Sequence, residues 1–98
     1  MSKKPIFVTL RLNASDGAEF QTFLAQILPQ TRRAQGCRYN KTYVSRDNPN
    51  EVILIQEWDS LEDQQAYMKW RESTGVLDRF KGFLAKPPEL DFWELCKA

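Results

Sequence analysis

The chain has 98 residues, enough for one domain but not for two, because a second hydrophobic core needs roughly 50 further residues. Hydrophobic residues make up 42% and charged residues 28% of the chain, a mixture typical of globular rather than disordered proteins. The net charge is +1, so there is no general electrostatic attraction to nucleic acid or to an anionic membrane.

The first predicted strand covers residues 5–12, in which alternate residues are apolar and share one face. A helix follows. Asp16 and Glu19 form a capping-box pattern at its start, and Gly36 is the usual type of residue for its end. Between these two ends, apolar spacing predicts a buried stripe of Phe20, Phe23, Leu24, Ile27, Leu28 and Thr31.

A hairpin comes next, with predicted strands over residues 37–46 and 51–59. The intervening Asp-Asn-Pro-Asn segment is the clearest turn signal in the chain. Ser60, with Asp63 three positions later, predicts the start of a second helix that runs to about residue 72. A break at Gly75 separates it from a short helix over residues 76–84. The last strand is predicted over residues 90–96.

The predicted order is therefore β-α-β-β-α-β, with the second helix in two pieces and a core over about residues 5–96. This order indicates a single α+β domain of the ferredoxin-like type. Its antiparallel four-stranded sheet would carry the helices on one face. The third strand is apolar on both faces, because Val52, Leu54 and Trp58 alternate with Ile53 and Ile55.

Since helices can cover only one face of such a sheet, we expect a second copy of the chain to cover the other, forming a homodimer. Trp93 and Leu95 alternate away from Phe92 and are expected to contribute to that contact. The longest apolar run, over residues 52–55, is too short to span a bilayer, and no signal-peptide pattern is present. We therefore expect a cytoplasmic protein that is not bound to a membrane.

The side-chain inventory limits the available chemistry. Histidine is absent, which excludes an imidazole base and His-ligated metal or haem. Cys37 and Cys96 are too far apart in sequence for a zinc or redox motif, and we expect both thiols to be buried and reduced. No glycine-rich phosphate loop is present. We expect no metal, haem or flavin cofactor, although an aromatic cavity leaves flavin open as an alternative.

Several short motifs between about residue 6 and residue 92 occur in a recognisable order. In chain order they are Pro29-Gln30-Thr31-Arg32, Gly36-Cys37, Tyr39, Glu57-Trp58-Asp59-Ser60 and Pro88-Glu89. By these motifs the chain resembles the antibiotic biosynthesis monooxygenase (ABM) family of dimeric α+β barrels. The resemblance implies a homodimer with one cavity per subunit, between the sheet and its own helices.

The sequence also departs from the family pattern. Tyr67 stands where members often carry a His on the second helix. Haem-degrading relatives use an Asn, a Trp and a His, and the corresponding positions here are Leu10, Tyr67 and Leu77. We therefore do not expect haem degradation. Ala34-Gln35 replaces the acidic residue that often precedes the Gly-Cys pair.

By this resemblance, Trp58 and Tyr67 are the candidate catalytic residues. The family counterpart of Trp58 borders the cavity, whereas core packing is the alternative. The Tyr67 hydroxyl is a candidate to hydrogen-bond a phenolate or an oxygen intermediate, with a role in lining the pocket as the alternative.

The candidate substrate-binding residues are Arg33, Tyr39, Trp70, Phe80 and Phe83. The aromatic members of this set either form a flat slot for an aromatic ligand or fill the core. Arg33 either binds an anionic substrate or offsets the dipole of the first helix. Tyr39 and Tyr43 share one face of their strand, and the sequence leaves open whether they line the pocket or the dimer contact.

Three functions are consistent with these observations. The resemblance implies a cofactor-independent monooxygenase acting on a small aromatic or quinol-type metabolite. The protein supplies a dry cavity, orientation and hydrogen bonds to the developing oxyanion. The absence of histidine favours the alternative of a non-catalytic small-ligand binding protein. An isomerase of a small carbonyl compound is the third hypothesis and needs a general base, for which Glu57 is one candidate.

Overall fold

A computed structural model of the protein describes residues 4–98. In chain order its elements are β1 (Ile6–Asn13), α1 (Gly17–Arg32), β2 (Cys37–Val44), β3 (Glu51–Trp58), α2 (Leu61–Thr74), α3 (Val76–Gly82) and β4 (Glu89–Trp93). The strands form one antiparallel sheet in the order β2-β3-β1-β4. This topology confirms the predicted ferredoxin-like α+β fold.

The ends of two elements differ from the prediction for identifiable reasons. β2 ends at Val44 because the Ser45 side chain accepts hydrogen bonds from the amides of Asp47 and Asn48, which starts the turn early. β4 ends at Trp93, which pairs with Phe7. Since β1 begins only one residue earlier, a longer β4 would have no strand beside it.

Both long helices begin at the predicted capping residues. The prediction that α1 ends at Gly36 is wrong, because α1 ends at Arg32 with Arg33 as its C-cap, and Gly36 lies in the turn before β2. The Asp16 carboxylate accepts a hydrogen bond from the Glu19 amide, and Ser60 Oγ accepts one from the Asp63 amide. Gly36 and Gly75 adopt φ angles of 84° and 79°, the left-handed region that favours glycine. Gly75 therefore separates α2 from α3, as the sequence indicates.

The three helices lie over one face of the sheet, called here the inner face. Inner-face residues of β1 and β3 share a hydrophobic cluster with α1 and α3, in which the Phe20 and Phe80 rings meet edge to face at 5.4 Å. A second cluster joins Ile6, Val8 and Trp58 nearer the other end of the sheet. The predicted α1 stripe is confirmed: all its members are buried except the half-buried Ile27.

The opposite, outer face of the sheet carries the alternate residues of the same strands. Strand register places Thr9 beside Ile55, and Ile53 between Arg11 and Tyr43. Half-buried and exposed apolar groups therefore occupy this face, as the pattern of the third strand predicts. The other aromatic residues of the outer face are Phe7, Tyr39 and Trp93.

The two cysteines are free, but the prediction that both are buried is wrong. Cys37 is half-buried beside the second cluster. Cys96 is exposed because it lies beyond the end of β4, where no element packs over it. Within residues 4–98, no helix combines the length and the apolar character that crossing a membrane requires.

Candidate functional site

A cavity of about 250 Å³ lies between the inner face of the sheet and the helices. Leu54 of β3 and Leu10 of β1 are register partners, and Leu90 of β4 pairs with Leu10 on its other side, so that these strands form the floor. The helices form the walls, with residues of α1, α2 and α3 all reaching the cavity. Its volume lies just below the range of about 300–1,000 Å³ for typical ligand pockets, which favours a small ligand.

Most of the cavity lining is apolar, and its polar groups come mainly from three elements. Thr31 lies near the end of α1, Gln56 on the inner face of β3, and Tyr67 and Arg71 on α2. Tyr67 and Arg71 are four residues apart in the helix, so they share one face. Lys81 completes the polar set from α3.

Arg71 is the most unusual of these residues, because its side chain is only 2% exposed. Its Nε donates to the Tyr67 hydroxyl over 2.6 Å, and one terminal nitrogen donates to Gln30 Oε1 over 2.9 Å. The other terminal nitrogen donates to the Ile27 carbonyl oxygen over 2.6 Å and to Thr31 Oγ1 over 3.2 Å. All of these acceptors are neutral.

No carboxylate compensates the buried guanidinium of Arg71 within the described part of the chain. Both ion pairs found there belong instead to Arg38, on the outer face. Burying a charge without a counterion is costly, and an anionic ligand would relieve that cost. The four hydrogen bonds also leave one of the five guanidinium N–H groups available to such a ligand.

Tyr67 and Thr31 add hydroxyl groups to the same end of the cavity. Their hydroxyl oxygens lie within hydrogen-bond distance of each other, and each also accepts a hydrogen bond from Arg71. The bond between the two hydroxyls uses only one of their two protons. The remaining proton is free to be donated to an oxygen atom of a ligand.

Trp58 packs behind the residues that line the cavity. Its side chain is fully buried and does not line the cavity. Its ring centroid lies 5.1 Å from that of Tyr67, and its indole nitrogen donates to Gln56 Oε1 over 2.9 Å. The structure therefore places Trp58 in contact with two lining residues rather than with the cavity itself.

The other sequence-predicted site residues fall in four places. Phe80 lines the cavity with Tyr67. Arg33 and Trp70 line a shallow groove between α1 and α2, which meets the cavity at Tyr67. Phe83 stacks on Phe23 with their ring centroids 4.7 Å apart, outside the cavity. Tyr39 lies on the outer face of the sheet.

Tyr39 and Glu57 lie on the outer face of the sheet, so the sheet separates them from the cavity. Partial burial raises the pKa of the Tyr39 hydroxyl, and the nearby Glu57 and Tyr43 raise it further. The Glu57 carboxylate is 3.0 Å from the Arg38 guanidinium. Since Glu57 points away from the helices, it cannot serve as the general base that the isomerase hypothesis requires.

The cavity contains functional groups that the sequence analysis did not select, above all Arg71 and Gln56. Gln56 occupies an inner-facing position between Leu54 and Trp58, so a polar residue at a core position was a signal available in the sequence. Arg71 gave no comparable signal, because most of α2 is polar and exposed. The three positions compared with haem-degrading relatives, Leu10, Tyr67 and Leu77, all line the cavity.

In residues 4–98, no three His, Cys, Asp or Glu side chains lie close enough together to hold a metal ion. The lining of the cavity likewise includes no carboxylate and no imidazole. Its chemistry thus rests on hydroxyl, amide, ammonium and guanidinium groups. These groups bind and stabilise negative charge but are poor general bases at neutral pH.

A protein-family model described as antibiotic biosynthesis monooxygenase matches residues 6–85. No curated protein gives a significant match. Among solved structures, SnoaB, a cofactor-independent oxygenase from Streptomyces nogalater, is 14% identical with a TM-score of 0.86, over 97% of this chain and 96% of SnoaB.

Two further solved structures share the fold. A conserved protein from Methanosarcina mazei Go1 is 17% identical with a TM-score of 0.84, over 95% of this chain and 94% of that one. Rv0793 from Mycobacterium tuberculosis is 19% identical with a TM-score of 0.83, over 96% and 97% respectively. At such low identities, these likenesses extend to the fold and not to the ligand.

Proposed function

The chain belongs to the antibiotic biosynthesis monooxygenase family, and from this premise we propose that it is a cofactor-independent monooxygenase. Its substrate is a small aromatic or quinol-type metabolite that binds in the cavity between sheet and helices. One observation carries the proposal. The buried guanidinium of Arg71 has only neutral partners, at the polar end of a largely apolar cavity. This combination suits an aromatic ring that carries a negative charge.

An ionised substrate supplies the reducing power that the reaction needs. A quinol-type ring in its ketone form loses a proton from a CH₂ carbon, and the resulting carbanion forms a carbon–oxygen bond with dioxygen. The peroxide anion then takes up a proton to give a hydroperoxide. Cleavage of the oxygen–oxygen bond releases water and leaves a carbonyl group, so one oxygen atom enters the product and the other leaves as water.

The cavity residues act on charge at each of these stages. Arg71 stabilises the ionised ring, since an anion in a low-dielectric site interacts strongly with a nearby cation. The hydroxyl proton that the bond between Tyr67 and Thr31 leaves unused is donated to the peroxide oxygen as charge develops there. Phe80 and the leucines of the floor exclude water from the ring.

The proposal assigns no metal, haem or flavin to the protein. It rests on the side-chain inventory, because the chain has no histidine and only two cysteines, which lie in separate parts of the fold. Electrons for dioxygen reduction come from the substrate itself. Elemental analysis and the absorption spectrum of the purified protein test this point, and flavin absorbance near 450 nm at about one equivalent per chain would contradict it.

The proposed functional unit is a homodimer formed through the outer faces of two sheets. The supporting observation is the apolar character of that face, where Ile53, Ile55 and Phe7 lie only half-buried. Packing two such faces together buries apolar area that the helices do not cover. Tyr39 and Tyr43 then lie at the dimer contact rather than at the substrate.

A non-catalytic ligand-binding protein is the second candidate function. The observation that favours it is the absence of any carboxylate or imidazole from the cavity lining, which leaves no conventional base to ionise a bound substrate. The monooxygenase therefore requires a substrate that reaches the cavity already ionised, or acidic enough for Arg71 to favour its ionised form.

Oxygen uptake separates the two functions. The wild-type protein is incubated with a panel of dihydroxy-aromatic and quinol compounds, and uptake is compared with protein-free controls while products are identified by mass spectrometry. We expect uptake above the control for at least one compound, with one oxygen atom incorporated from ¹⁸O₂. Binding of panel members without any excess uptake would contradict the monooxygenase and support the binding protein.

A further inference from the structure

Gln56 is a polar side chain in an apolar part of the sheet. It lies on the inner face of β3 between Leu54 and Trp58, is 7% exposed, and lines the cavity. The Trp58 indole nitrogen donates to Gln56 Oε1 over 2.9 Å. Because an indole N–H can only donate, the amide oxygen must face Trp58, and this fixes the orientation of the whole amide.

The fixed orientation leaves the amide nitrogen of Gln56 for other partners. That nitrogen carries two N–H donors and has no acceptor among residues 4–98. Although the residue is more than nine-tenths buried, this nitrogen is not among the fully buried atoms that lack a partner, which belong to Asn40. Since Gln56 lines the cavity, its unpaired donors are open to the cavity, where a ligand oxygen can accept from them.

A second unsatisfied amide lies next to Gln56, outside the lining of the cavity. Asn40 is the cross-strand partner of Gln56 in the sheet and is 3% exposed. Neither its side-chain nitrogen nor its side-chain oxygen has a hydrogen-bond partner in the described part of the chain. This stretch of the inner face therefore carries more buried amide groups than the protein satisfies.

We propose that the Gln56 amide is a second ligand-binding group of the cavity and that Trp58 is the residue that positions it. Ligands then bind more tightly when they carry an oxygen that accepts a hydrogen bond from Gln56, in addition to the anionic oxygen that Arg71 attracts. This inference rests on the proposed function only because both place the ligand in the same cavity. It does not depend on whether the bound molecule is oxidised.

The proposal gives Trp58 an indirect role. Because Trp58 is fully buried and does not line the cavity, it contacts no ligand. Without its indole N–H, the Gln56 amide is free to rotate or to turn its oxygen toward the cavity. The effect of Trp58 on binding must then be transmitted through Gln56, and the two residues are energetically coupled.

Two probes test the second binding group. The anion of 2-hydroxy-1,4-naphthoquinone has an ionised oxygen and further carbonyl oxygens, whereas pentafluorophenolate has an ionised oxygen only. Calorimetry measures the affinity of both probes for wild type and for Gln56→Met, which removes the donor at nearly constant volume. We expect the naphthoquinone to bind about tenfold more weakly to the variant, the effect of one lost hydrogen bond. Pentafluorophenolate affinity should change by less than about twofold.

Trp58→Phe and the double variant Trp58→Phe/Gln56→Met complete the set. We expect Trp58→Phe to weaken naphthoquinone binding in the wild-type background and to have almost no further effect beside Gln56→Met. A purely structural role of Trp58 would instead weaken the binding of both probes in both backgrounds. Thermal unfolding of each variant shows whether it is folded. If Trp58→Phe does not fold, the result for Gln56→Met alone decides the proposal.

The outcomes separate this inference from the proposed function. Equal weakening of both probes by Gln56→Met, no weakening of either, or no binding of either probe to wild type would overturn the inference. If Gln56→Met selectively weakens the naphthoquinone while the wild-type protein consumes no oxygen with any quinol, the second binding group stands and the monooxygenase fails. If the wild-type protein consumes oxygen but Gln56→Met leaves the affinity for both probes unchanged, the monooxygenase stands and the second binding group fails.

Discussion

The two faces of one sheet differ in what covers them and in the polar groups they carry. The inner face is covered by helices and forms the floor of a cavity with polar groups at one end. The outer face carries half-buried aliphatic and aromatic side chains, with no helix of residues 4–98 packed on it. A single strand, β3, contributes alternate residues to both. In the proposed function, the two-residue period of this strand separates ligand binding on one face from self-association on the other.

Charge is distributed differently on the two faces. The outer-face Arg38 pairs with Asp59 over 2.7 Å and Glu57 over 3.0 Å, in partial contact with water. Such exposed pairs contribute little net attraction, because solvent screens them. Arg71 beneath the helices is buried without a carboxylate. The Arg38 charge is satisfied within the chain, whereas the Arg71 charge is available to a ligand.

The largest effect is expected from a charge placed on the outer face. Ile55→Glu should raise the dissociation constant of the proposed homodimer by at least about 100-fold, since a buried, unpaired carboxylate in the contact costs several kcal/mol. Sedimentation equilibrium measures this constant. Gln26→Glu, at an exposed position of α1, is the matched control and should leave it unchanged. A monomeric wild type, or an equally dimeric Ile55→Glu variant, would contradict the assignment of the outer face.

A smaller effect is expected for the reaction rates of the two thiols, because one lies in a protected region and the other in an open one. Burial raises the pKa of the Cys37 thiol above its ordinary value of 9.0, and this outweighs the opposing effects of Arg32 and of the hydrogen bond to the Tyr39 carbonyl. A raised pKa leaves less reactive thiolate at a given pH. In Cys96→Ser protein, Cys37 should therefore react with Ellman's reagent at least about tenfold more slowly than Cys96 does in Cys37→Ser protein.

The pH dependence of the same reaction gives a second test of the raised pKa of the Cys37 thiol. The rate at Cys37 should continue to rise above pH 9.0, because the thiol is still being ionised there. Equal rates at the two cysteines, or a plateau of the Cys37 rate below pH 9.0, would show that the cluster around Cys37 opens readily.

The smallest effect concerns the unpaired amide of Asn40 on the inner face. Asn40→Leu removes two unsatisfied polar atoms at similar volume and should raise the free energy of unfolding by about 1 kcal/mol. Asn40→Asp, which buries a carboxylate at the same place, should lower it. Urea unfolding at neutral pH measures both. A lower stability of Asn40→Leu than of wild type would show that the amide has a stabilising partner.

Much of the fold could be predicted from local patterns. Period-two alternation locates β1 and β3, and Asp16, Ser60 and the left-handed Gly75 mark helix ends through local backbone chemistry. The ends of β2 and β4 were predicted less well, because strand length depends on the partner strand as well as on the segment itself. Beyond Trp93, the sequence still alternates, but no neighbour remains to pair with it.

Less of the candidate site than of the fold could be predicted from the sequence. Tyr67 and Phe80 were selected and line the cavity, and Trp58 was selected for the cavity but lies behind its wall. Arg71 was missed because α2 has few apolar residues, so nothing in its spacing distinguishes a buried arginine from a surface one. Its burial depends on Gln30 and the Ile27 carbonyl of α1, far away in sequence.

In the proposed function, Arg71 gives the cavity a preference for an anion. The most direct test compares 2-hydroxy-1,4-naphthoquinone, ionised at neutral pH, with its neutral 2-methoxy ether. Wild type should bind the ionised compound at least about tenfold more tightly, because hydrogen bonds to charged groups exceed neutral ones. This preference should disappear in Arg71→Met and persist in Arg79→Met, which removes an exposed arginine of α3. An equal preference for the anion in wild type and Arg71→Met would contradict the account.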